Sequence, residues 1–246
     1  MQKTLGLTCP SGLKVEIRET TGADDDIFSG VTKKDYETIN NFISGIIVGG
    51  DLGVLTPQGV QDLLLGDKYF ILISSRIFSL GPILYFKYTW PNTQIPEEYD
   101  VDLSTYVWDY TTPFPDKTNP QYFDQRIPPY PLDSDGWVYF KLGEYEARFH
   151  YLDGHGEVYL LDLPVSERTI NKQFTARKLQ IKEGDTWKEV RNFGNISARD
   201  MVVLRQTLLE ADPEIQGLIK LSNPYTGEVA DLPLLGIVDF FFPTRI

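Results

Sequence analysis

One cysteine and two histidines are all the thiol and imidazole that this chain of 246 residues contains. The lone Cys9 excludes an intramolecular disulfide framework and fits a protein assembled in a reducing cytoplasm. Two histidines, His150 and His155, leave little room for a His-based catalytic triad. Basic residues are also scarce: 23 Lys and Arg stand against 35 Asp and Glu, a net charge of -12. Such a field repels phosphate backbones, so nucleic acid is not an expected partner. No apolar run approaches the ~20 residues of a membrane span. The segment Met1-Gln2-Lys3-Thr4-Leu5-Gly6 lacks the apolar stretch of a signal peptide. There is no Gly-rich phosphate loop, no Ser elbow and no dinucleotide fingerprint, and no cofactor is expected.

What the chain does have is aromatic weight. Fourteen Tyr, fourteen Phe and four Trp bring the apolar fraction to 41%, enough for a packed core and too much for disorder. Residues 13–18 alternate apolar and charged side chains, the period of a half-buried strand. Asp24-Asp25-Asp26 follows where acids favour a helix start, and Ile39, Phe42, Ile43 and Ile46 mark one helical face. Thr56-Pro57 predicts the start of a helix, interrupted at Gly66 and Asp67 and stopped by Gly81-Pro82. Residues 83–88 read as an aromatic strand. Residues 137–142, 146–152 and 157–161 also read as strands, the last two joined by the hairpin-like Asp153-Gly154-His155-Gly156. Ser197 and Asp200 have capping-box spacing before the helical face of Met201, Leu204 and Leu208.

Residues 106–136 differ in kind. They are rich in Pro and aromatics and show no periodicity, which predicts a long extended arm. Trp108, Tyr110, Phe114, Tyr122, Phe123 and Tyr130 are its candidate partner-binding anchors, because aromatic side chains dominate interface energetics. Elsewhere the chemistry is thin. His150, Asp153 and His155 lie close in sequence, but a metal needs about three convergent ligands. Acid pairs at Asp24-Asp25-Asp26, Glu97-Glu98, Asp100/Asp102 and Asp133/Asp135 read as solvated faces or caps unless a cleft brings two of them together.

Two short segments far apart carry the most information. Trp90-Pro91-Asn92-Thr93 ends the aromatic strand, and Asn223-Pro224-Tyr225-Thr226-Gly227 follows an apolar strand at 218–221. Both keep the spacing of a zinc knuckle, Cys-Pro-x-Cys-Gly, in which thiolates two residues apart face one tetrahedral ion. The four ligand positions hold Trp90, Thr93, Asn223 and Thr226, so no zinc is expected.

Around these turns, the run 67–81, Val101-Asp102-Leu103-Ser104, Leu232-Pro233 and the ending Phe240-Phe241-Phe242-Pro243 follow in a particular order. That order, with the opening strand at 10–24, resembles the baseplate hub assembly proteins of contractile-tailed, T-even-like phages. The resemblance covers about two thirds of the chain and fails over residues 105–150. It implies an α+β protein with a helical N-terminal part and a β-rich part closed by a metal-free zinc-ribbon-like unit. In this reading residues 1–104 and 215–246 form one unit, 105–136 the arm, and 137–214 an inserted hairpin and helix region. The function implied is non-enzymatic: a structural or assembly protein of a phage tail baseplate, located in the virion, binding other tail proteins without nucleic acid or membrane. A homo-oligomer within a symmetric assembly fits the same reading. The alternative is a carbohydrate-binding or cell-wall-hydrolysing protein, in which Trp and Tyr platforms beside carboxylates would serve a sugar.

Overall fold

The computed structural model describes residues 3–29, 35–106, 136–211 and 218–233. Helices and antiparallel sheets are mixed along the chain, an α+β fold. Strand β1 (Thr4–Thr8) pairs with β2 (Lys14–Arg18), and β2 with β3 (Ile47–Gly50). β2 is the alternating segment of the sequence: Val15 and Ile17 are buried while Lys14 and Glu16 face solvent. β1 alternates too, with Leu5 and Leu7 packed against the core, whereas β3 carries no such signal. Gly50 ends β3 at φ 115°, and a Cβ there would collide with the Lys14 carbonyl oxygen, so only glycine fits. A three-stranded sheet therefore precedes and flanks the N-terminal helices.

Helices α1 (Gly22–Ser29), α2 (Asp35–Ile46) and α3 (Leu65–Leu80) follow. Asp24 is buried near the start of α1, where its carboxylate accepts from the Thr21 N–H at 2.7 Å and from both Arg18 terminal nitrogens. The expected helix at Thr56-Pro57 is corrected. Thr56 does cap, since its Oγ1 accepts the Gly59 N–H at 3.1 Å, but it opens only a 3-10 turn, Gly59–Asp62. Leu63 and Leu64 are extended, and α3 begins after them. That break lets the chain bond elsewhere: Leu65 N–H donates to the Leu152 carbonyl at 2.8 Å, and Gly154 N–H to the Leu63 carbonyl at 3.2 Å. Gly81 stops α3 at φ 83°, and buried Arg76 donates to the Gly81 carbonyl, steering the chain into the next strand.

Strands β4 (Ile83–Thr89) and β5 (Pro96–Asp102) form a seven-pair antiparallel hairpin. Beyond residue 135, β6 (Trp137–Leu142) and β7 (Tyr145–His150) pair as expected. The next element is a correction. Residues 157–161 belong not to a strand but to α4 (Gly154–Leu161). Asp153 is its N-cap, with Oδ1 accepting the Gly156 N–H at 2.7 Å. Gly154 and Gly156 are there for space: an added Cβ would meet the Gln61 backbone at 2.8 Å and the Ala176 carbonyl at 2.9 Å respectively.

Helix α5 (Ile170–Ala176) precedes β8 (Gln180–Glu183) and β9 (Thr186–Glu189), which complete a sheet of order β6-β7-β8-β9. Helix α6 (Ala198–Ala211) starts as expected: Asp200 N–H donates to Ser197 Oγ at 3.1 Å, and that hydroxyl donates to the Asp200 carboxylate at 2.7 Å. The hairpin of β10 (Leu218–Ser222) and β11 (Val229–Pro233) ends the described chain.

Two main cores result. One contains Ile17, Phe42, Ile71, Leu84, Phe86 and Trp90 together with Ile219 and Leu221, so the C-terminal hairpin shares the buried cluster of the N-terminal elements. The other gathers Val138 and Phe149 of the four-stranded sheet with Phe174, Phe193 and Leu204. A small cluster of Leu152, Leu160 and Ala176, packed with Leu65, lies at the seam. Lys68, 2% exposed, reaches across that seam to Glu157 at 2.6 Å. A buried amine needs such a partner to stay charged.

Candidate functional site

The two proline turns are built alike. Trp90-Pro91-Asn92-Thr93-Gln94-Ile95 joins β4 to β5, and Asn223-Pro224-Tyr225-Thr226-Gly227-Glu228 joins β10 to β11. In each, the N–H of the fifth residue donates to the carbonyl of the first, Gln94 to Trp90 and Gly227 to Asn223, both at 2.9 Å. In each, the N–H of the first donates to the carbonyl of the sixth, at 3.5 Å from Trp90 and 2.7 Å from Asn223. The fifth residue is left-handed in both: Gln94 at φ 57° and Gly227 at φ 69°. The fourth is threonine in both, and its Oγ1 accepts the N–H of the sixth, at 3.4 Å for Thr93 and 3.3 Å for Thr226. A hydroxyl that accepts a backbone N–H thus stands where a zinc knuckle has its second thiol.

The first positions differ. Asn223, 1% exposed, turns its Oδ1 back onto its own turn and accepts the N–H groups of Tyr225 at 2.9 Å and Thr226 at 3.1 Å. This is the Asx arrangement that lets a short polar side chain stand in for backbone. Trp90 is fully buried, packs edge-on against Tyr88 at 5.0 Å, and donates its indole N–H to Tyr99 Oη at 2.8 Å. That hydroxyl donates in turn to Glu97 at 3.1 Å. Asn223 Nδ2 and Glu228 Oε2 are buried and have no hydrogen-bond partner among the described residues.

None of the four positions offers a thiolate, imidazole or carboxylate. Among the described residues no three His, Cys, Asp or Glu side chains converge to hold a metal. His150 Nδ1 pairs with the Tyr151 carbonyl at 2.8 Å, whereas His155 Nε2 pairs with Asp62 at 2.9 Å, so the two rings serve different partners. Cys9 is buried, and burial followed by the nearby Asp67 carboxylate pushes its thiol far above the ordinary range, which disfavours the thiolate. Asp67 itself accepts from the Ser11 N–H and hydroxyl, at 3.1 and 2.5 Å; burial pushes its carboxyl up to about 6, against the pull of those two bonds.

At least one member of each described acid pair has a structural task. Asp24 binds Arg18, Glu98 binds Lys87 at 3.0 Å, Glu97 accepts from Tyr99, and Asp102 accepts from the Ser104 N–H. Asp133 and Asp135 lie outside the described residues, as do the arm anchors Trp108, Tyr110, Phe114, Tyr122, Phe123 and Tyr130.

One cluster escaped the sequence reading. On the outer face of the four-stranded sheet, the Arg148 guanidinium lies 4.2 Å from the Trp137 ring centroid and 4.5 Å from that of Trp187. The available signal was the alternation Trp137-Val138-Tyr139, which puts two aromatics on one face of β6. Trp187 sits on the short strand β9, which was not predicted. Comparison of the chain with protein-family models, with curated proteins and with solved structures finds no match.

Proposed function

We propose that this protein is a non-enzymatic component of a contractile phage tail, acting at the baseplate or hub by binding other tail proteins. The observation that carries the reading is the pair of proline turns. They share one hydrogen-bond scheme, lie more than a hundred residues apart, and end hairpins whose inner side chains enter one buried cluster. In this proposal the hairpins are the halves of a ribbon whose metal has been replaced. A structural zinc contributes on the order of 10 kcal/mol to small peptides. Here the Trp90 indole and the Asn223 side-chain bonds supply local order by other means. Residues 105–136, of which 107–135 lie outside the described residues, are in this proposal the arm that grips a neighbouring tail protein.

The carbohydrate reading requires open indole faces beside carboxylates. Among the described residues, Trp90 is fully buried, and Trp137 and Trp187 both lie against Arg148, with Lys182 also near the Trp187 ring at 5.9 Å; Trp108 and Tyr110 lie outside them. These contacts favour the protein-binding reading. Mass spectrometry of purified particles tests it: stoichiometric peptides of this chain are expected, and a chain found in neither particles nor tail assembly intermediates overturns the assignment. Deleting residues 108–131 is expected to leave a folded protein that no longer enters tails. Normal incorporation of that deletion removes the arm from the account.

A further inference from the structure

Among the described residues, Arg148 is a cation held in place by rings and neutral acceptors rather than by a carboxylate. It sits in the middle of β7 on the face turned away from the second core, whose inner residues are Val138, Ala147 and Phe149. Two indoles flank its guanidinium, as described above. Its Nε donates to Gln180 Oε1 at 2.8 Å and its Nη1 to the Tyr139 hydroxyl at 3.3 Å. A guanidinium has five N–H groups in a fixed fork. Two are used here, and no carboxylate lies within ion-pairing distance of it among the described residues. Its neighbours are treated differently: Lys182 binds Glu146 at 2.9 Å, Lys188 binds Glu183, and Arg191 lies 3.4 Å from Glu189.

We infer that the outer face of the β6-β7-β8-β9 sheet is a docking surface for a partner protein that inserts an Asp or Glu carboxylate against Arg148. The geometry is preorganised for that ligand. Stacking on Trp137 and Trp187 orients the plane of the fork, and the bonds to Gln180 and Tyr139 fix its rotation. The side-chain ordering that a bidentate pair normally costs is therefore already met before association. The indoles also exclude water from around the pair, which strengthens it. Trp, Tyr and Arg are the residue types that dominate binding energy when clustered. Charge selects the occupant: the cation accepts an anion, and the acidic chain offers no broad basic surface to follow a nucleic-acid backbone. Arg148 occupies one face of each indole, which leaves less open ring for a pyranose to stack on. The surface belongs to a different sheet from the proline turns, so its test does not depend on the tail assignment.

The test uses the full chain, with capped hexaglutamate as the carboxylate peptide probe and hexagalacturonate as an anionic glycan of matched charge. Tryptophan emission and calorimetry at low salt read the binding. Hexaglutamate is expected to bind, and Arg148→Met, which keeps the stacked stem, is expected to weaken it by about tenfold or more at an unchanged melting temperature. Arg148→Lys keeps the charge but loses the fork and should fall between. Equal affinity in wild type and Arg148→Met, or no binding of hexaglutamate, overturns the inference. Hexagalacturonate binding as tightly through Arg148 overturns the protein occupant in favour of a glycan. An Arg148-dependent dimer in sedimentation overturns it in favour of a second copy of this chain.

Discussion

The turn at residues 90–95 and the turn at residues 223–228 have the same backbone and opposite first side chains. One begins with the largest apolar residue, buried to the last atom and tied through its indole N–H to β5. The other begins with a short amide that spends its oxygen on two backbone N–H groups of its own turn. Both leave a threonine hydroxyl and a left-handed fifth residue in the same places. The difference teaches that the hairpin loop is a property of Pro at the second position, a left-handed fifth residue and the backbone bonds. The first side chain is free to stabilise it either by packing into the core or by satisfying polar groups locally.

The largest effect expected on this comparison comes from Trp90→Ala. Removing a fully buried indole should cost about 3–5 kcal/mol, with Tyr99 losing its donor as well, and urea unfolding of the full chain measures it. A cost below about 1 kcal/mol would mean that burial is not what holds the first turn.

Asp67 sharpens the contrast next, because it does for the turn at Ser11 what Asn223 does for its own but can ionise. Its folded-state carboxyl, at about 6, lies above the ordinary 3.8. The folded protein therefore keeps this proton where the unfolded chain has lost it. The stability linked to this group is complete below the unfolded value and is lost as pH rises through the folded one. Asp67→Asn removes that loss, so it should gain up to roughly 3 kcal/mol over wild type near pH 7 and have little advantage at pH 4. A pH series of melts checks the crossover.

Asn223→Ala follows, with an expected loss of about 1–3 kcal/mol from two N–H groups deprived of their acceptor. Partial rescue by Asn223→Ser, whose hydroxyl can accept one of them, separates that cause from lost packing. The smallest effect concerns the fifth residue. Nothing lies within 4 Å of a Cβ placed on Gly227, so Gly227→Ala tests backbone strain alone and should cost about 1 kcal/mol. Gln94→Gly should shift the first turn the other way, by less than about 1 kcal/mol, since relief of strain is offset by a more flexible unfolded chain. Chemical denaturation of the pair reads both shifts.

Much of the fold was legible because it rests on local rules. β2 alternates, α2 and α6 have apolar faces, Ser197 and Thr56 cap, and Gly81 terminates α3. The failures share a cause. The aromatic and branched run at 157–161 predicts a strand, with Gly154 and Gly156 as a hairpin turn. Neither glycine has positive φ; both are small because Gln61 and Ala176 approach them from other parts of the chain. The helix expected from Pro57 breaks because Leu63 and Leu64 bond to the Leu152–Gly154 segment across the seam. The Arg148 stack was invisible for the same reason, since Trp187 reaches it only through the register of β8 and β9 against β7.

By itself the amino-acid sequence determined the α+β character, the spacing of the two proline turns, and the want of metal ligands at their ligand-like positions. Period, capping and turn chemistry act over a few residues, so they can be read along the chain. Tertiary structure alone decided that Trp90 and Ile219 enter one buried cluster, that Lys68 crosses to Glu157, and that Arg148 lies between two indoles. Those outcomes depend on contacts between segments far apart in sequence, whose free energy appears only when the segments are packed together.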